Sequence, residues 1–179
     1  MAGQSVSARA VTVPHVGTYR IVPDRSTVRF TTRGMFGLAK VAGIVAIREG
    51  AVIVADPIEK SSVRAVLDAS SVNTANRKRD DHLRTADFLD VASYPDITFI
   101  ADGARDASGA WVVPGTLTVR GVSRPVDLTL TAAVPASGET RFNAVTRIDR
   151  NEFGVTKMKG MVARYQAIEL DLVVVQSPG

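Results

Sequence analysis

The feature that most limits what this chain can fold into is strict alternation of apolar and polar residues. Val126, Leu128, Leu130, Ala132 and Val134 alternate with Asp127, Thr129, Thr131 and Ala133. A period of two puts one face of an extended strand in a core and the other in water. Ile168, Leu170, Leu172 and Val174 repeat the pattern, with Glu169 and Asp171 interleaved. Weaker versions run through 19–22, 28–32, 41–47, 52–55, 63–67, 97–101, 111–119 and 142–148. Short punctuators separate them: Pro23-Asp24, Glu49-Gly50, Ala107-Ser108-Gly109, Gly121 and Ser137-Gly138. Strands of similar length on short turns predict an all-β antiparallel meander. Closure into a barrel removes its aggregation-prone edges. About eight strands enclose either a packed core or one elongated ligand.

One stretch departs from this pattern. Residues 71–94 have few β-branched side chains and read as a short helical insertion around residues 75–90. A helix beginning near Ala75 would be capped by Asn73 or Thr74, whose side chains accept backbone N–H bonds. A second turn over 86–90 stops before Tyr94-Pro95, because proline disfavours helix in the residue ahead of it.

A chain of 179 residues suits one domain. Residues 1–16 read as a flexible tail and 17–176 as a single barrel domain. The tail has no continuous apolar segment of signal-peptide length, being interrupted by Arg9 and Pro14. No run approaches the roughly 20 apolar residues of a membrane-spanning helix. A cytoplasmic protein is therefore expected. Ala and Val supply 49 of 81 apolar residues, so the interior is built from small side chains. A barrel lined by them either packs tightly or leaves a lumen, and composition alone does not choose.

Cys is absent, which removes thiol nucleophiles, disulfides and Cys-ligated metals. His15 and His82 are the two histidines, and no Gly-x-Ser-x-Gly elbow or phosphate-binding glycine loop accompanies them. The Asp80-Asp81-His82 cluster lacks the i, i+4 paired-His spacing of zinc helices. Catalysis, a metal and a cofactor are not expected. The net charge of +4 is spread along the chain. Arg77-Lys78-Arg79 is followed at once by Asp80-Asp81 with no interleaved aromatics, so it reads as a solvated face and no nucleic acid is expected. A basic barrel that binds nucleic acid or an acidic protein is kept as the alternative function.

The segment Gly17-Thr18-Tyr19-Arg20-Ile21-Val22-Pro23-Asp24-Arg25-Ser26-Thr27-Val28-Arg29-Phe30 resembles the opening signature of the YceI-like family of bacterial polyisoprenoid-binding proteins. Arg79 through Asp90, followed by Tyr94-Pro95-Asp96-Ile97-Thr98-Phe99, resembles that family's most recognisable block. The stretches from Gly115 to Val126 and from Arg150 to Gly154 are similar to later blocks, in the same order. The resemblance covers about residues 17–176. It implies an extended, lipocalin-like antiparallel β-barrel whose pore holds a long isoprenoid or fatty chain, and it makes the Asp80-Asp81-His82 block structural. It also implies a homodimer, for which an open edge strand would be the physical reason. Many members carry a His where this chain has Gly34, so that imidazole is missing here.

Candidate ligand-binding residues follow. Arg33 either holds a polar or anionic head group by charge-assisted hydrogen bonds or points outward from a strand end. Met35, Phe36 and Leu38, flanked by Gly34 and Gly37, form a mobile apolar loop that can cover a pore mouth. Met158 and Met161, with Phe153 nearby, would serve a second mouth, since Met adapts to irregular apolar partners. Phe30, Phe99, Leu117, Val119 and Phe142 sit in strands and face either lumen or core. Phe88 plugs a barrel end. The expected function is non-catalytic binding or carriage of a polyisoprenoid, isoprenoid quinone or fatty chain.

Overall fold

The computed structural model describes residues 11–178. β1 (Gly17–Ile21) and β2 (Thr27–Gly34) run end to end, separated by a 3-10 turn at Pro23–Arg25. β3 (Ala39–Val45) and β4 (Ile47–Val54) return alongside them, broken only at Ala46. Then come β5 (Ser62–Asp68), the helix α1 (Arg77–Arg84), β6 (Asp96–Asp102), the short β7 (Arg105–Ala107), β8 (Ala110–Val119), β9 (Val122–Ala136), β10 (Glu139–Asp149) and β11 (Tyr165–Gln176).

Every pairing between strands is antiparallel, and Tyr19 of β1 lies opposite both Val52 of β4 and Gln176 of β11. That double pairing closes the sheet. With β1/β2 and β3/β4 each counted as one bent strand, the ring has eight members, and β7 is a flap on β8. The expected antiparallel eight-stranded barrel with one helix is the fold.

Where Pro23 interrupts the first strand, Ser26 maintains the ladder to β11. The Val173 N–H donates to Ser26 Oγ at 3.0 Å, and the Val22 N–H donates to the Val173 carbonyl at 2.8 Å. The backbone groups freed by the break thus remain paired.

Three expectations need correction. Residues 11–16 are not a free tail: Val11 bridges to Ala133, the Thr12 N–H donates to the Ala133 carbonyl, and Pro14 is buried. They cover an edge of β9 beyond its last pairing with β8; residues 1–10 lie outside the described residues. The alternation in β9 does not run unbroken to Val134. The register against β10 shifts between Asn143 and Ala144, leaving Thr131 as the extra residue of a bulge. A bulge exchanges the faces of the residues beyond it, so Ala133 is buried and Val134 is exposed. Lastly, α1 is capped by neither Asn73 nor Thr74. Asn76 takes that role, its Oδ1 accepting from the Arg79 N–H at 3.0 Å.

Thr74 is occupied elsewhere. Asp80 is buried and accepts from the Thr74 N–H at 2.9 Å and from the Thr74 hydroxyl at 2.6 Å. This latch ties the first turn of α1 to the segment that hydrogen-bonds β3 through Ile44 and Asn73. Residues 86–90 form a turn rather than helix, held by the Phe88 and Asp90 N–H groups donating to the Thr85 carbonyl.

The interior is filled unevenly. At the end where β1 begins and β11 finishes, Tyr19, Val52, Val54 and Val174 pack into a core that Phe142 and Leu172 join. At the other end the walls stand apart, and α1, the turn at 86–90 and the 150–162 segment close over them in part.

Candidate functional site

The space between those walls is a cavity of about 710 Å³, within the range of pockets that hold small-molecule ligands. Its walls are inward-facing strand residues: Val28 and Phe30, Ala65 and Leu67, Leu117 and Val119, Val126 and Leu128, Ile168 and Leu170. They follow from the period of two, since each is separated from the next inward residue by one that faces water.

Two aromatic rings lie on these walls because a neighbouring strand supplies glycine. Gly43 stands opposite Phe30, and a Cβ there would overlap the ring. Gly115 accommodates Phe99 in the same manner. The rings lie over the glycines of adjacent strands, and the lumen between them stays unfilled.

The mouth is framed by three segments. The β2–β3 turn carries Met35 and Phe36 with φ of 49° and 58°, and the Gly37 N–H donates to the Gly34 carbonyl at 3.1 Å. Positive φ at both central positions is the habit of Asn-Gly hairpin turns; Met and Phe adopt it at a cost of about 1–2 kcal/mol each. The second segment is the 157–162 loop, which meets this turn through the Phe36 N–H to the Met161 carbonyl at 3.3 Å and the Ala163 N–H to the Arg33 carbonyl at 2.8 Å. The third is the start of α1, where Asn76, Lys78, Arg79 and His82 line the opening.

Arg150 organises the second segment. Its buried guanidinium donates to the carbonyls of Val155, Lys157, Val162 and Ala163 at 2.8–3.2 Å. Burial pushes its pKa down from the ordinary arginine value, partly offset by the neighbouring Asp149. Asp149 itself accepts from Arg164 at 2.6 Å, a hydrogen bond that raises the Arg164 pKa. One side chain thus satisfies four loop carbonyls, and Phe153 and Val155 are buried among residues of the barrel wall.

Of the expected site residues, Phe30, Met35, Phe88, Phe99, Leu117, Val119, Phe153, Met158 and Met161 border the cavity. Phe88 is buried and meets the His82 ring edge-on, with centroids 5.0 Å apart. Met158 and Met161 do not serve a second mouth, because the hydrogen bond to Phe36 places them at the one that Met35 lines. Arg33 does not border the cavity. It falls between Thr32 and Gly34, which do, so it faces outward, exposed, with Nη1 donating to the Gly37 carbonyl at 3.4 Å. Phe36 and Leu38 also lie outside, at the exposed turn. Phe142 packs into the core below the cavity, opposite Leu172.

The polar groups that do line the opening were not singled out from the sequence as ligand contacts. Gln166 Nε2 donates to Thr32 Oγ1 at 3.0 Å across β11 and β2. Lys78 belongs to no ion pair among the described residues. Asp80, Asp81 and His82 diverge, Asp80 to Thr74, Asp81 to Arg84 and His82 to Asp87 at 3.1 Å. Alternation puts Thr32 on the face opposite Arg33, but Lys78 and Arg150 depend on loops and a helix whose placement no periodicity encodes.

Comparison with known proteins agrees with this architecture. A UPF0312 protein of Pseudomonas putida is 35% identical over 122 residues, 65% of this chain and 62% of that protein. The YceI protein of Salmonella newport is 30% identical over 119 residues, 63% and 59% of the two chains. The matched region therefore spans about three fifths of these relatives' length. Among solved structures, Burkholderia cenocepacia BcnA superposes with a TM-score of 0.75 at 22% identity, covering 86% of this chain and 98% of that one. A polyisoprenoid binding domain from Saccharophagus degradans, implicated in plant cell wall breakdown, gives 0.68 at 13% identity, covering 91% and 100%. The family model of the YceI-like domain matches residues 19–175. With the barrel, its helical insertion and the ordered blocks that build them all in place, the chain belongs to the YceI-like family.

Proposed function

We propose that this chain binds a long-chain apolar lipid, of the polyisoprenoid, isoprenoid-quinone or fatty-chain class, without catalysing a reaction on it. The observation that carries the reading is the cavity of about 710 Å³, apolar along its walls, filled by side chains below and open at one end. An unfilled apolar lumen forfeits dispersion contacts, and an apolar guest restores them. Each buried methylene contributes about 0.8 kcal/mol. A tail of about 20 carbons supplies roughly 16 kcal/mol, which offsets association costs of about 4–15 kcal/mol. The tail points down the lumen toward Phe142. The head group stays at the rim, where Lys78, the Thr32–Gln166 pair and His82 offer polar contacts. A fold neighbour described as polyisoprenoid binding supports the same ligand class.

The test is organic extraction of freshly purified protein followed by mass spectrometry. A stoichiometric long-chain lipid is expected, and its removal should lower the melting temperature, since a ligand that binds only the folded state stabilises it. Recovery of no lipid, with a melting temperature unmoved by added isoprenoid or fatty acid, would overturn the reading.

A further inference from the structure

The three most exposed large apolar side chains among the described residues sit side by side at the mouth. Met35 is 64% exposed, Phe36 74% and Leu38 85%. They lie on one turn, two of them in a backbone conformation that disfavours them. Isolated exposed apolar residues are ordinary, but a cluster on a projecting turn marks a contact surface. The cluster continues through Met158 and Met161, also exposed.

The two segments that carry this cluster are basic. Segments 33–40 and 156–164 contain Arg33, Lys40, Lys157, Lys159 and Arg164, and neither contains an Asp or Glu. Four of the five lysines, Lys40, Lys78, Lys157 and Lys159, stand at this end, and none is in an ion pair among the described residues. The turns at the opposite end, 55–61, 102–109 and 136–139, carry Asp56, Glu59, Asp102, Asp106 and Glu139 against Lys60 and Arg105. The third segment at the mouth, 77–90, is balanced, with Arg77, Lys78, Arg79 and Arg84 against Asp80, Asp81, Asp87 and Asp90, so along the barrel axis the loops are net basic at the mouth and net acidic at the base.

We propose that the mouth docks on an anionic lipid bilayer, with the Met35–Leu38 turn inserted at the headgroup–acyl boundary and the surrounding lysines on the phosphates. Apolar residues ringed by lysine are what an interfacial membrane contact requires: the first supply burial, the second attraction to anionic lipid, and lysine stems extend to the headgroups. The axial polarity orients the barrel mouth-first before contact, so the lumen opens onto the membrane rather than onto water. The inference rests on the lipid-binding reading for its purpose, because a guest could then pass between bilayer and lumen without crossing water. Its geometry is independent of that reading.

The test uses the full chain and two vesicle preparations, phosphatidylcholine alone and phosphatidylcholine with phosphatidylserine. Co-flotation with the anionic vesicles is expected, weakened by salt, with little on phosphatidylcholine alone. Lys157→Glu with Lys159→Glu should weaken it by about tenfold or more while leaving the extracted lipid unchanged. Trp111, at the far end on β8, is the single tryptophan, and its emission should not move. In a Trp111→Phe background, Leu38→Trp should give emission that shifts to the blue on anionic vesicles; that side chain is too exposed for the change to disturb packing. Flotation unaltered by the lysine reversals, or no blue shift, overturns the proposal. So does absence of flotation with a lipid-loaded protein, which would leave the basic mouth to an acidic protein partner. Flotation with an empty lumen overturns only the lipid-binding reading.

Discussion

The two ends of the barrel are built from the same strands and filled differently. On β11, Ile168, Leu170 and Leu172 line the cavity and are half-buried, whereas Val174, on the same inward face, is fully buried. The alternation is identical along this run. What changes is what stands across the interior. Below, Tyr19 and Phe142 help fill the space; above, Gly43 and Gly115 let Phe30 and Phe99 lie on the wall. A lumen is thus made by choosing where aromatic rings lie, with no change in the sheet. At the upper end the loops are held to the wall by Phe88, Phe153 and Val155, and polar latches add to that hold: Arg150 on four carbonyls and Asp80 on Thr74.

The largest effect should come from removing one of those latches. Arg150→Ala leaves the Val155, Lys157, Val162 and Ala163 carbonyls without their donor, and a loss of about 3–5 kcal/mol is expected in urea unfolding. Hydrogen exchange should rise first in 155–163. A loss below 1 kcal/mol would mean that the open end does not depend on this arginine.

Phe142→Ala tests the boundary between the ends. It should cost about 3 kcal/mol and lengthen the lumen, so that extracted lipids shift to longer chains. Leu128→Ala, on the cavity wall, should cost about half as much or less, because that side chain already borders empty space. Equal costs in the two variants would show that the upper end is as well packed as the lower.

Gly43→Ala should push the Phe30 ring off the wall, destabilising the fold by about 1–3 kcal/mol through overpacking and reducing lipid loading. Unchanged loading would separate the ring's position from the lumen's capacity.

The smallest effect concerns acid. Hydrogen bonding from Ser70 holds the Asp68 carboxyl below the usual carboxylate range, assisted by Arg48 and opposed by burial. A depressed folded-state pKa contributes stability above the unfolded value and loses it as pH falls through the folded one. Asp68→Asn should therefore lower stability at neutral pH by about 0.5–1 kcal/mol after solvent screening, leave it nearly unchanged well below about pH 4 where the wild-type carboxyl is protonated too, and so flatten the acid slope. A profile that keeps its acid slope in the variant would assign that slope to other carboxylates.

The strands, and which residues share a face along each, were legible because alternation is a local signal. Ile168, Leu170, Leu172 and Val174 declare their common face without reference to any partner, and the ordered family blocks then distinguished a barrel from a sandwich. Alternation put Arg33 on the face opposite Thr32 and Gly34 but left open which face is inward, and the cavity lining decides it. The bulge at Thr131, which turns Val134 to solvent, was hidden because it arises from the register of β9 against β10. The role of Arg150 was hidden because its acceptors, spread over 155–163, converge only when the loop folds back.

By itself, then, the sequence determined a succession of antiparallel strands interrupted by one helical insertion, since period and turn residues act over a few neighbours, and the ordered family blocks made of it an eight-stranded barrel. Which half of that barrel is hollow, where its single described mouth lies, and which charges surround it were decided by the tertiary structure. Those properties belong to residues brought together from distant strands and loops, Phe142 with Tyr19 below and Met35 with Met161 above, and no local pattern in a chain carries the distance between them.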